Sequence, residues 1–265
     1  MNKPKTDAHS SAPWWRTFLQ LARHDLHARY AGATLGFIWS IIQPLAMTVI
    51  LWVVVHFGFR AGNITGVPFI AWLLPGMAAW SFFAEALNSA TNALHEYAFL
   101  VKKVRFPVIM LPPVKIVTAL VTHLIFLAIT GLVLAAHGIA PGAGWLRLPL
   151  YLAGLILLVT GLGWITAALH AFSRDVGYIV NVLLQFGFWL TPVFWNPEMI
   201  ANPYLAALLR LNPLFHLLGA YRACLLPATP YPASGAAWFW MTALLSAGAG
   251  AWIFRRLKPH FADVL

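Results

Sequence analysis

The sequence predicts an all-α integral membrane protein with six transmembrane helices, and three observations predict it. Hydrophobic residues make up 61% of the 265 positions and charged residues only 9%, against about 25% charged in a soluble domain. Apolar stretches long enough to cross a bilayer, about 20 residues each, recur from Phe37 to Phe254. Lys and Arg gather at the ends of those stretches rather than along them, as the orientation rule for membrane helices requires. The net charge of +10 is accounted for by that placement, which argues against nucleic-acid binding.

The first element is an amphipathic helix over 14–30, WWRTFLQLARHDLHARY. Trp15, Phe18, Leu19, Ala22, Leu26 and Tyr30 fall on one face, with Arg16, Arg23, His24, Asp25, His27 and Arg29 largely on the rest. Pro13 suits the first turn. Tryptophan on the apolar side fits a helix lying in the membrane interface; packing on a soluble partner is the other reading. The preceding residues hold no apolar run of signal-peptide type, so insertion is expected to use the first span.

Spans are drawn at 37–58, 69–90, 108–136, 147–170, 178–195 and 235–254. The third exceeds a hydrocarbon layer of about 30 Å and is expected to tilt or project. With the N-terminus inside, Lys3, Lys5, Arg16, Arg23, Arg29, Lys102, Lys103, Arg105, Arg174, Arg255, Arg256 and Lys258 are cytoplasmic. Arg60, Arg147, Arg210 and Arg222 are then outside, and Lys115, at the start of span three, belongs to neither group. Twelve against four favours cytoplasmic termini and an even number of spans. The whole chain, 1–265, reads as one transmembrane domain.

Two connections stand out. The cytoplasmic link between spans two and three puts Leu94, Tyr97, Ala98 and Val101 on one face of a short helix, carries Glu96, Lys102, Lys103 and Arg105 as charges, and stops at Pro107. It reads either as a docking knob for another subunit or as a surface anchor for anionic headgroups. The segment 191–216 is apolar but broken by Pro192, Pro197, Pro203 and Pro213, and helices tend to stop just before proline. Its pieces are too short to cross. A re-entrant helical hairpin between spans five and six, over 192–215, fits best, with an amphipathic surface loop as the alternative. Broken backbone at membrane depth must be covered by protein or a water-filled cavity, which points to a pathway-lining role.

The motifs of reaction chemistry are missing from the sequence. It lacks G-x-x-x-x-G-K-[ST], so nothing here binds nucleotide by that route. The ten His are scattered and Cys224 is single, leaving no metal-ligand spacing and no intrachain disulfide. Glu85 is the one carboxylate within a drawn span, with His123 its nearest kind of partner; it reads as a pathway contact or intersubunit hydrogen bond, or as a hydrated span end. The Gly-Ala run at 247–251 reads as helix packing.

Three blocks resemble one family, the membrane subunit of type-2 ABC exporters for lipid-linked polysaccharides such as O-antigen, capsule and teichoic acid. They are RYAGATLGFIWSIIQPL (29–45), KKVRFPVIMLPP (102–113), and SRDVGYIVNVLLQFGFWLTPVFW (173–195) running into LNPLFHLLGAYRACLL (211–226). Leu35-Gly36, Trp39, Pro44, Arg174-Asp175, Thr191-Pro192-Val193 and Asn212-Pro213 are the marks.

The resemblance implies an inner-membrane homodimer with two copies of a separate cytoplasmic ATPase, which would hold the ATP and Mg; this chain itself would carry no cofactor. It makes 94–106 the coupling helix, with Leu94, Glu96, Tyr97, Lys102, Lys103, Arg105 and Phe106 as contacts. It assigns an outer gate to Thr191, Pro192, Phe194, Pro197, Asn212 and Pro213. Arg23, Arg29 and Tyr30 are candidates for the lipid pyrophosphate, since guanidinium pairs well with phosphate. Trp39, Phe83, Glu85, Phe186 and Trp189 are candidates for the glycan pathway. A lipid or drug exporter, and beyond that class a secondary transporter or integral membrane enzyme, are the other readings.

Overall fold

The computed structural model describes residues 14–30, 38–58, 60, 62–64, 66–103, 107–227, 229 and 231–265, without the side chains of Trp14, Arg29, Tyr30, Ser40 and Lys103. Arg105, Phe106 and the Leu35-Gly36 pair lie outside the described residues, as does the coupling or pyrophosphate chemistry assigned to the side chains of Lys103, Arg29 and Tyr30. The elements in order are α1 Trp14–Tyr30, α2 Ile38–Val53 with a π turn to Gly58, α3 Phe69–Glu96, α4 Ala98–Lys103, α5 Leu111–Ala136, α6 Leu148–Phe172, α7 Asp175–Leu190, α8 Pro203–Arg210, α9 Pro213–Leu225, α10 Ala233–Leu257 and α11 Phe261–Val264. Among the described residues, five helical stretches, 41–58, 69–96, 108–136, 143–172 and 233–264, are long and apolar enough to cross a membrane. The chain is therefore a multi-pass membrane protein.

The middle of the bundle is α3. It packs against α5, α6, α7 and α9, and Trp72, Met77, Phe82, Phe83 and Ala86 on it are buried in the main core. At 28 residues it is about 42 Å long by a rise of 1.5 Å per residue, so it overruns the hydrocarbon layer. The helix drawn to end at position 90 thus continues to Glu96. The reason is a second core at this end, where Ala93 and Leu94 are buried with Leu111, Phe254 and Phe261. Burial of one face keeps a polar stretch helical that hydropathy alone assigns to a link.

Helix α10 meets α6 backbone to backbone. A Cβ built on Gly161 would lie 2.3 Å from the Ser246 carbonyl carbon, and one on Gly250 would lie 2.2 Å from the Gly161 oxygen. Small residues permit such an approach where lipid supplies no hydrophobic drive between helices. The 247–251 run is helix packing, as expected.

The fifth drawn span, 178–195, is replaced by α7, sixteen residues over Asp175–Leu190, about 24 Å long. It stops because Thr191 takes an extended conformation, φ −92° and ψ 139°, as a residue before proline prefers. Beyond it, α8 and α9 begin alike. Asn202 accepts from the N–H groups of Tyr204 and Leu205 at 2.9 and 3.2 Å, and Asn212 from Leu214 at 2.9 Å. Proline follows each cap, where its missing N–H costs nothing.

Candidate functional site

Two constellations occupy opposite ends of α3. At the basic end, Lys115 on the first turns of α5 is buried together with Asp25 of α1. Its ammonium donates to Asp25 at 2.5 Å and to the carboxylate of Glu96 at the end of α3. The Tyr97 hydroxyl also donates to Asp25, at 2.7 Å, and Lys115 sits 5.1 Å from the Tyr97 ring centroid. One ammonium thus ties the interface helix, the end of α3 and the start of α5 together. Burial of Asp25 opposes its charge, but the Lys115 and Tyr97 hydrogen bonds outweigh that and hold its carboxyl below the ordinary value. Tyr97 is pushed up, first by burial and then by the Asp25 carboxylate, so the phenol stays a donor.

This cluster revises several expectations. Asp25, counted with the polar face of α1, points into the protein. Lys115, left out of the orientation count, is the hub. Leu94 is fully buried and Glu96 ends α3, so neither belongs to a separate link helix; Leu94 cannot be a contact for another chain. What the link exposes is Glu96, Phe99 at 63% and Lys102, on α4 and the residue just before the Tyr97 bend. Arg23 is exposed on α1.

Beside the cluster, a polar cleft of about 450 Å³ opens between the ends of α3, α6 and α7, lined by Asn92, His95, His170, Arg174, Tyr178 and Asn181 among others. His95 Nε2 meets the His170 carbonyl at 2.9 Å, and Gly177 lets the His170 ring lie on α7, where a Cβ would come within 2.9 Å of it. Hydropathy reading passes over such a cleft, because its lining is gathered from several separate elements.

At the other end the proline-broken segment folds back on α3. Thr191 is fully buried and accepts from the Asn212 amide at 2.9 Å, so the residue that ends α7 is bonded to the cap of α9. Phe194 stacks on Phe188 at 5.7 Å, and Trp189 meets Phe194 edge-on at 5.1 Å. Pro192 is buried, Pro197 opens a short 3-10 turn, and Pro213 is the first residue of α9. Helix α8 stays outside, with Tyr204 85% and Leu208 63% exposed, apolar side chains that suit a membrane surface.

Arg222, counted as an outward charge, is buried beneath this hairpin. Its Nε donates to the Trp72 carbonyl at 3.2 Å and its Nη2 to the Pro192 and Val193 carbonyls at 2.8 Å each.

The pathway candidates divide. Trp39 on α2 and Phe186 and Trp189 on α7 are exposed at 55%, 64% and 61%. Phe83 is buried beside Trp80 in the core and does not line an open face, because it points from α3 into the bundle. Glu85 is half-buried. His123 does not serve it: its Nε2 meets the Tyr221 hydroxyl at 3.3 Å, and its ring packs 4.8 Å from Phe82. Among the described residues no group of three His, Cys, Asp or Glu is placed to hold a metal ion.

The chain is similar along most of its length to known export and transport proteins. The O-antigen export system permease protein RfbA of Klebsiella pneumoniae is 26% identical over 251 residues, covering 92% of this chain and 93% of the relative. Its namesake in Myxococcus xanthus is 29% identical, with 77% and 78% covered. The polysialic acid transport protein KpsM of Escherichia coli is 24% identical, again with 77% and 78% covered. The sequence profile of the ABC-2 type transporter matches residues 16–226, a stretch that takes in both constellations, most of α1 and the helices α2 to α9, and the chain belongs to that family.

Proposed function

We propose that this chain is the permease of an ATP-driven exporter that moves a polyprenyl-pyrophosphate-linked polysaccharide, of O-antigen, capsule or teichoic-acid type, from the cytoplasmic side across the bacterial inner membrane. Two copies pair with two copies of a separate ABC ATPase, which binds the ATP and Mg; this chain contributes transport rather than catalysis. One observation carries the reading. A single helix, α3, joins the ion cluster at Glu96 to the carbonyl of Trp72 under the outer hairpin, a separation of about 36 Å at 1.5 Å per residue. A push on the exposed link beside Glu96 therefore has a rigid element to travel along.

In this reading α7 crosses as the fifth of six spans, both termini are cytoplasmic, and the ATPase docks on Glu96, Phe99 and Lys102. Arg23, with Arg29 and Tyr30 near it in sequence, receives the pyrophosphate at the interface. The exposed aromatic faces of α2 and α7, with Trp39, Phe186 and Trp189, offer flat surfaces to sugar rings. Thr191, Pro192, Phe194, Pro197, Asn212 and Pro213 form the outer gate. Relatives named for polysaccharide export and transport favour a glycan over a drug or free lipid.

Two experiments test this. Thr191→Cys with Asn212→Cys, in a Cys224→Ser background, replaces the hydrogen bond by a cross-link. Export should stop on oxidation and return on reduction; export through the cross-linked protein overturns the gate. Arg23→Ala with Arg29→Ala should lower glycan-stimulated ATP hydrolysis about tenfold, since a charge-assisted phosphate contact is worth about 1.5–3 kcal/mol. Undiminished stimulation removes the headgroup role.

A further inference from the structure

The Arg222 side chain is 4% exposed, and its guanidinium lies 3.5 Å from the centroid of the Trp72 ring. Among the described residues its hydrogen bonds all go to main-chain carbonyls, those of Trp72, Pro192 and Val193. The last two belong to the turn after α7, where the chain has left the helix and its carbonyls have no helical donors. One side chain of α9 therefore fastens that turn to α3. The seam has no room to spare: a Cβ on Gly76 would lie 2.7 Å from Arg222 Nη2 and 2.9 Å from the Val193 oxygen.

We propose that Arg222 is a positioning residue that holds the outer hairpin shut on α3, and that its release from the Pro192 and Val193 carbonyls is part of opening the export route. The proposal rests on the reading of 191–213 as the outer gate. A cation in a dry site is stable only while its acceptors stay in place, since a buried charge that loses its partners meets the full desolvation cost. Lifting the turn removes two of the three carbonyls at once, so half-open positions are disfavoured. The hairpin then has two states, shut on the cation or fully lifted with water reaching it, which is how packed elements switch. Gly76 is part of the same device, because it lets the turn and the guanidinium close onto the α3 backbone.

The test is ion conductance of the assembled permease–ATPase complex in planar bilayers without ATP. Arg222→Met keeps length and removes every donor. Its conductance should exceed wild type by about tenfold or more, the shift expected when one state loses a specific restraint, with the amount of assembled complex unchanged. Arg222→Lys keeps the charge without the fork and should fall between. Gly76→Ala leaves Arg222 intact but forces the seam apart, and should leak as well; its conductance decides the question if Arg222→Met does not assemble. Assembled complexes as tight as wild type overturn the proposal, since a residue needed only for folding changes the yield and not the leak. The cross-link between positions 191 and 212 separates the two readings. If the cross-linked protein still exports, the gate itself is wrong. If it is blocked while the variants stay tight, the gate stands and Arg222 is not its latch.

Discussion

Lys115 sits where three elements meet, and its removal exposes the asymmetry of a buried ion pair. The pair itself adds little over a well-packed apolar pair, whereas deleting one partner strands the other and costs about 3–5 kcal/mol. Lys115→Met should therefore lower the midpoint of thermal unfolding in detergent by about 6–20 °C, at 2–4 °C per kcal/mol for a chain of this size. Adding Asp25→Leu should restore part of the loss, because the stranded carboxylate goes with it; a double variant worse than the single one contradicts the account. Acid should act on the same contact. The Asp25 carboxyl is lower folded than its ordinary value of 3.8, so its contribution is fully present above that pH and is lost as pH falls through the folded value. A spin-label pair on α1 and α5 should hold its distance at about pH 5–7 and broaden only below pH 3.8, as the folded carboxyl takes up its proton. None of this was legible in the sequence. A charge near a span end looks the same whether it faces water or a partner, and the partners lie on other elements, 19 and 90 positions from Lys115 and 29, 30 and 150 from Arg222.

At the scale of elements the coupling reading has a sharper surface than the sequence offered. The apolar face of 94–101 turns inward onto the second core, with Leu94 buried and Tyr97 and Val101 packed beside it. The outward face therefore carries the contact, and Phe99, 63% exposed, is its large apolar side chain. Phe99→Arg should leave the permease folded and inserted but weaken co-purification of the ATPase by about tenfold or more, as loss of an aromatic anchor worth about 2 kcal/mol does. Leu94→Ala should instead lower stability by about 2–5 kcal/mol through a core cavity. If both variants lose only the ATPase, the division between core and contact is wrong. The long spans were legible because twenty apolar residues in a row carry their own signal, and the breaks at Pro192, Pro203 and Pro213 were legible because proline acts locally. The extension of α3 to Glu96 and the inward turn of the link were not, since both come from burial in the second core, built with residues of α5, α6, α10 and α11.

The whole molecule poses one arithmetic question, the number of crossings. Among the described residues five helical stretches meet the length of a span, and α7, at about 24 Å, falls short of a hydrocarbon layer of about 30 Å. If α7 crosses, the termini share the cytoplasm. With Arg222 buried, the outer count falls from four to three, Arg60, Arg147 and Arg210, against twelve inside. If α7 stays on the inner side, Arg210 moves in while Arg255, Arg256 and Lys258 move out. The count becomes ten inside and five outside. Positive residues avoid the outer side in short loops, so the charge count supports the six-crossing arrangement proposed above. Single cysteines in a Cys224→Ser background decide it. A membrane-impermeant maleimide added to spheroplasts should label Arg210→Cys at once, and Lys258→Cys and Arg174→Cys only after the membrane is opened. Labelling of Lys258→Cys from outside, with Arg210→Cys protected, would place α7 on the inner surface and leave α3 without an outer gate to move.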